Sequence, residues 1–278
     1  KGAAAASKSE LDKIWNSLGS PDRGIRHASR AALEKQPVAK WKDRLVREKN
    51  LVASTAAMIA LARTDAKNSA SEIFKKATSI DYNQTGSRQT RLDILRGVTL
   101  TLTRSGQPSA SDKAKLTKWI ERIYPAQTPE ENRDLSAMAA FLDAPFAVGR
   151  GITLLENASG QEEQIGYALN LRHLKTGWTS LLRESYFKWF VRAGSFKGGA
   201  RLSNYLDGIK SDAVASVEDW QMTESLKKII ATQPKSSIPQ FTLEPRSFVK
   251  NWTMEDLAGD LDEGIKSTRD FSNGRKMA

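Results

Sequence analysis

The ten residues from Lys40 to Lys49 hold Lys40, Lys42, Arg44, Arg47 and Lys49, a density of cations that can grip phosphates. Asp43 and Glu48 interleave with them, so a solvated, ion-paired face is the competing reading of the same stretch. Arg23 and Arg26 lie just upstream. With Lys40, Lys42, Arg44 and Arg47 they form the basic part of a candidate interaction surface. The chain carries 43 Lys+Arg against 32 Asp+Glu, a formal net charge of +11 over 278 residues. Residues 1–50 hold twelve basic and six acidic side chains, whereas residues 251–278 hold four and six. A basic end of this kind, on a helical stack, fits a phosphate-bearing partner.

Other chemistry is excluded or weakly supplied. The sequence has no cysteine, which removes disulfides, thiol catalysis, iron–sulfur clusters and cysteine zinc sites. His27 and His173 are the two histidines, too few for a histidine-built metal site. No phosphate-cradling GxxxxGK[ST], dinucleotide GxGxxG, metalloprotease HExxH or nucleophile-elbow GxSxG occurs. Gly194 to Gly199 (GSFKGG) lacks the strand–loop–helix setting of a phosphate loop and reads as a turn between helices. Glu130 with Glu131, and Glu162 with Glu163, sit in expected first turns, where the helix dipole favours acids. No catalytic residue, metal or cofactor is therefore assigned to this chain.

Seven tryptophans, Trp15, Trp41, Trp119, Trp178, Trp189, Trp220 and Trp252, mostly occupy apolar-face positions and are expected in the core. The cluster Tyr186, Phe187, Trp189 and Phe190 is too wide for one narrow stripe. Simple core packing is one reading of it; on the other, part of it faces a neighbouring domain and completes the candidate interaction surface.

These side chains must be positioned by helices. Ser9 with Asp12 predicts a first cap, and Ser20–Pro21 predicts the second start. Ile25, Ala28, Ala32 and Leu33 supply the apolar stripe there. Pro37 opens a third helix with Val38, Trp41, Leu45 and Val46 inward, and Asn50 caps a fourth. Further helices are predicted near 69–79, 87–104, 146–157, 161–175, 179–193, 200–216 and 220–231. Another contains Leu116 and Trp119. Thr128, Pro129 and Glu131 start one more. No strand alternation is visible. The longest apolar stretch, Leu51 to Ala62, is too short to cross a bilayer, which needs about 20 residues.

Helices this short need partners. Hairpin starts near 9, 38, 69, 110, 145 and 179 recur at helical-repeat spacing. Pro21, Asp22, Ile25, Arg26, Ala28 and Ala31 read P-D-x-x-I-R-x-A-x-x-A, which resembles the second helix of a HEAT repeat. The expected fold is all-α, a HEAT-like α-solenoid of stacked helical hairpins over residues 1–232. Residues 233–268 are expected to form a proline-rich crossover, with Pro234, Pro239 and Pro245, followed by a helix capped by Thr253 and Asp256.

A second resemblance follows from three segments. They are Tyr186-Phe187-Lys188-Trp189-Phe190 with Lys197-Gly198-Gly199; Trp252-Thr253-Met254-Glu255-Asp256-Leu257; and Arg269-Asp270-Phe271-Ser272-Asn273-Gly274-Arg275-Lys276-Met277. Together they resemble the large multidomain c-type cytochromes of planctomycetes and their relatives. In that family a β-propeller dehydrogenase-like domain precedes a HEAT-like region, and a class I cytochrome c domain follows. The resemblance implies that residues 269–278 are the stub of that domain. It also implies that a CxxCH follows shortly and that haem c lies in the adjoining domain. The protein would then be exported, the chain being a non-catalytic spacer between redox domains of the same polypeptide. The alternative is a basic, nucleic-acid-binding solenoid of the HEAT-like DNA glycosylase type. Such a protein needs a continuous cationic face with aromatics. Scattered charge favours the spacer and leaves nucleic-acid binding weak or absent.

Overall fold

The computed structural model describes residues 6–233, 250–256, 258 and 270–272. Contacts divide the chain into one unit over Lys1–Ser237 and a second over Ile238–Ala278. Among the described residues there is no strand. The first unit contains α1 (Lys8–Ser17), α2 (Arg23–Glu34), α3 (Lys42–Arg47), α4 (Leu51–Ser79), α5 (Arg88–Ser105) and α6 (Ala110–Ile123). It continues with α7 (Pro129–Phe141), α8 (Ala147–Asn157), α9 (Gln161–Leu171), α10 (Ser180–Ala193), α11 (Leu202–Ala215) and α12 (Glu224–Ala231). Single 3-10 turns occur at Val38–Lys40, Tyr82–Gln84 and Asp219–Gln221.

Side-chain caps explain where most helices begin. Asp22, Asn50, Ser87, Ser109, Thr128, Thr179 and Thr223 each accept a hydrogen bond from a backbone N–H three residues on. The first cap differs from expectation: Ser7 and Glu10, not Ser9 and Asp12, form the reciprocal capping box. Their bonds are 3.3 Å for Glu10 N–H to Ser7 Oγ and 2.8 Å for Ser7 N–H to Glu10 Oε2. The separate helices expected before and after residue 65 are one run, α4, interrupted at Asp65 (φ −147°) and Ser69 (φ −120°). The Asp65 carboxylate accepts from Asn68 Nδ2 at 2.6 Å and from Ser69 Oγ at 2.7 Å, which stabilises this local break.

Packing is sequential. Many helices touch their neighbour in the chain, and many touch the next but one. Thus α2 packs on α4, α5 on α7, α7 on α9 and α9 on α11, with the consecutive pair α4–α5 joining the series. On the other helices, α4 packs on α6, α8 on α10 and α10 on α12. One continuous hydrophobic core runs from Leu11 to Leu226.

Two expected stripes are corrected. In α2 the buried residues are Ser29 and Leu33, and Ile25 is 50% exposed. The helix meets α1 and α4 along that edge, which turns Ile25 outward. In α3, six residues long, Leu45 is buried and Val46 is 48% exposed. In the second unit Thr253 and Asp256 form the expected reciprocal cap, with Asp256 N–H to Thr253 Oγ1 at 3.3 Å. The expected crossover and the 269–278 stub lie largely outside the described residues.

Candidate functional site

Three helices each turn one face into a groove of about 400 Å3. Arg23, Arg26, His27 and Arg30 of α2 stand at spacings of three and four, and so share a wall. Val52, Thr55, Ala56 and Ile59 repeat the same spacing on α4 and form the floor. Gln89 and Asp93 of α5, four apart, form the opposite wall. The break after residue 64 leaves this part of α4 as a regular helix between α2 and α5.

The groove's polar groups are partly fixed. Arg26 Nη1 donates to the carbonyls of Ser20 and Pro21, both at 2.8 Å, which anchors its guanidinium at the start of α2. Arg30 Nε lies 3.4 Å from Glu34 Oε1, and Glu34 is shared with Arg63 at 2.9 Å. Gln89 Nε2 donates to Asp93 Oδ1 at 3.0 Å. Burial pushes the Asp93 carboxyl up, against the opposing pull of Gln89, Arg26 and Arg30. Arg23 and His27 are exposed and make no hydrogen bond or ion pair among the described residues.

The remaining basic candidates do not join this groove. Lys40 Nζ donates to the Ala6 carbonyl at 3.4 Å, and Lys42 pairs with Glu72 at 3.8 Å. Arg44 pairs with Asp12 at 2.7 Å and stands 5.8 Å from the centroid of Trp15. Arg47 is exposed. Lys40, Lys42 and Arg44 are thus tied to Ala6, α4 and α1, and the acids that pair with them are Glu72 and Asp12, distant in sequence, not the interleaved Asp43 and Glu48.

The aromatic part of the candidate surface is corrected outright. Tyr186, Phe187, Trp189 and Phe190 are all buried, three of them completely. α10 lies among α8, α11 and α12, so several of its faces meet protein. Tyr186 donates to the Ala168 carbonyl at 2.6 Å, and Trp189 Nε1 to Gln164 Oε1 at 2.9 Å. The GSFKGG segment is the turn from α10 to α11. Lys197 is clamped through its N–H and carbonyl to the Gln161 amide, at 3.2 and 2.5 Å. Of the tryptophans, Trp220 and Trp252 are exposed, unlike the five in the core.

Two buried polar clusters were not legible in the sequence. Glu131, read as a dipole-favoured acid, is fully buried. It accepts from Tyr82 OH at 2.9 Å, Arg91 Nε at 2.5 Å and Thr128 Oγ1 at 2.7 Å. Burial alone would raise its carboxyl pKa, but these donors and the Arg91 charge hold it below the usual range. It therefore stays ionised and acceptor-only, which suits a structural tie between α5 and α7 and not a proton donor. Arg183 is also buried, lies 4.0 Å over the Trp178 ring, and donates to Ser216 and Gln221. Burial pushes its pKa down to about 10.

Among the described residues no group of three or more His, Asp or Glu side chains could hold a metal ion, and no helix is long and apolar enough to cross a membrane. No protein-family model, curated protein or solved structure matches this chain.

Proposed function

We propose that this chain is a non-catalytic spacer and docking module, a HEAT-like stack of helical hairpins that holds neighbouring redox domains of an exported, multidomain c-type cytochrome. The observation that carries the architecture is the run of next-but-one contacts, α2–α4, α5–α7, α7–α9 and α9–α11 with α4–α6, α8–α10 and α10–α12. Pairs joined in this way stack in one direction, each unit meeting its neighbours alone. The redox setting rests on the sequence resemblance at residues 186–199 and 252–277.

A docking role is supported by how the side chains are used. The aromatics of α10, the Glu131 cluster and Arg183 all join helices to one another. The α2–α4–α5 groove leaves cations unspent.

The test is made in the native polypeptide. Residues 6–233 are excised, and haem reduction is followed after substrate is given to the dehydrogenase-like domain. Slower transfer to haem is expected, with each domain's own reaction with soluble reagents retained. A native polypeptide lacking a haem-attachment CxxCH, or transfer unchanged by the excision, overturns the reading.

A further inference from the structure

We propose that the groove between α2, α4 and α5 is a seat for a short acidic peptide segment of a partner protein, with carboxylates on the α2 wall and an aliphatic side chain on the α4 floor. This rests on the docking-module reading in one respect, that the partner is a protein.

The α2 wall presents three guanidiniums and an imidazole in line, of which Arg30 already faces Glu34, and guanidinium pairs with carboxylate in two-pronged geometry. Arg26 is held in place by the Ser20 and Pro21 carbonyls, so part of the ordering cost of binding is already met. Arg23 and His27, exposed and without partners among the described residues, offer their donors at the rim.

The floor separates a peptide from a nucleic acid. Val52, Ala56 and Ile59 are apolar, and the Thr55 hydroxyl donates to the Val52 carbonyl at 3.0 Å. An aliphatic side chain gains from that surface, whereas a phosphodiester finds no donor there. Asp93 on the far wall adds a carboxylate beside the floor. A nucleic-acid backbone carries a charge at every nucleotide and would be repelled by it; a peptide can place a neutral residue opposite it. No Phe, Tyr or Trp lines the groove, and His27 at the rim is its one aromatic ring, against the row of stacking platforms a single strand needs.

The whole chain is titrated into a dye-labelled peptide of alternating Glu and Leu, read by fluorescence anisotropy. Controls are the Gln/Leu counterpart and a labelled oligothymidylate of equal length. The Glu/Leu peptide is expected to bind, and the Gln/Leu peptide about tenfold more weakly. Arg23→Glu is expected to weaken Glu/Leu binding about tenfold, and Asp93→Asn to tighten it about threefold. Lys115→Glu, an exposed charge reversal on α6 outside the groove, is expected to leave binding within about twofold. Absence of Glu/Leu binding, equal losses for Arg23→Glu and Lys115→Glu, or no response to Arg23→Glu overturns the seat. So does oligothymidylate binding more tightly than the peptide with the same Arg23→Glu sensitivity, which would assign the groove to nucleic acid. The assay uses this chain alone, so it can fail while the excision result stands, and the reverse also holds.

Discussion

Removing the buried carboxylate of Glu131 tests whether it ties α5 to α7. Glu131 is fully buried and takes three hydrogen bonds, from Tyr82, Arg91 and Thr128. The Arg91 side chain is 13% exposed, so water reaches it poorly. Deleting one member of a buried ion pair strands the other charge and costs about 3–5 kcal/mol. Stranding the Tyr82 hydroxyl adds to this, though the donors share one acceptor and their costs do not sum. We expect Glu131→Ala to lose about 4 kcal/mol and Glu131→Gln, which keeps one carbonyl acceptor, about 2 kcal/mol. The assay is urea unfolding followed by far-UV circular dichroism at a series of pH values. The folded carboxyl is held below the usual range, so its contribution is complete above the unfolded pKa. It is lost as pH falls through the folded pKa. The gap between parent and Glu131→Gln should therefore be constant near neutrality and shrink below about pH 4.3. A Gln variant as stable as the parent at neutral pH, or a gap unchanged to about pH 3, would refute the assigned role.

Two further predictions concern backbone and fork geometry. Gly177 has φ +80°, and a Cβ there would lie 2.7 Å from the Pro145 carbonyl oxygen, whereas nothing lies within 4 Å of a Cβ at Gly166 inside α9. Gly177→Ala should lower stability by about 2 kcal/mol and Gly166→Ala raise it by about 0.5–1 kcal/mol, both read from thermal melts. Arg183→Lys cannot reproduce a fork that reaches both Ser216 and Gln221. It should cost about 2 kcal/mol, with amide exchange rising first over residues 219–231; exchange unchanged in that segment would count against the assignment.

Local chemistry was legible in the sequence. The all-helical class and the caps at Asn50, Thr128 and Thr253 follow from residue spacing within one or two turns. Of the expected hairpin starts, those near 9, 110, 145 and 179 fall at the beginnings of α1, α6, α8 and α10, whereas the one near 69 falls inside α4. Missed at this level were near-neighbour choices, such as Ser7 over Ser9, where two hydroxyls two residues apart can each cap the start of the same helix.

Tertiary structure decided which side of each helix matters. Ile25 belongs to an apolar stripe by spacing, yet α1 and α4 meet α2 along Ser29 and Leu33, and Ile25 faces out. The four aromatics of α10 exceed one stripe, and packing among α8, α11 and α12 buries them all. Glu131 looked like any first-turn acid until the fold brought Tyr82 and Arg91 to it from 49 and 40 residues away. The groove has the same origin. Each wall is a plain helical spacing in the sequence, but Arg23, Val52 and Asp93 form one site because α4 packs on both α2 and α5. Spacing along a helix is fixed by 3.6 residues per turn and can be read from one segment. The face a helix presents to its neighbours is set by contacts distant in sequence, and it exists only once they have formed.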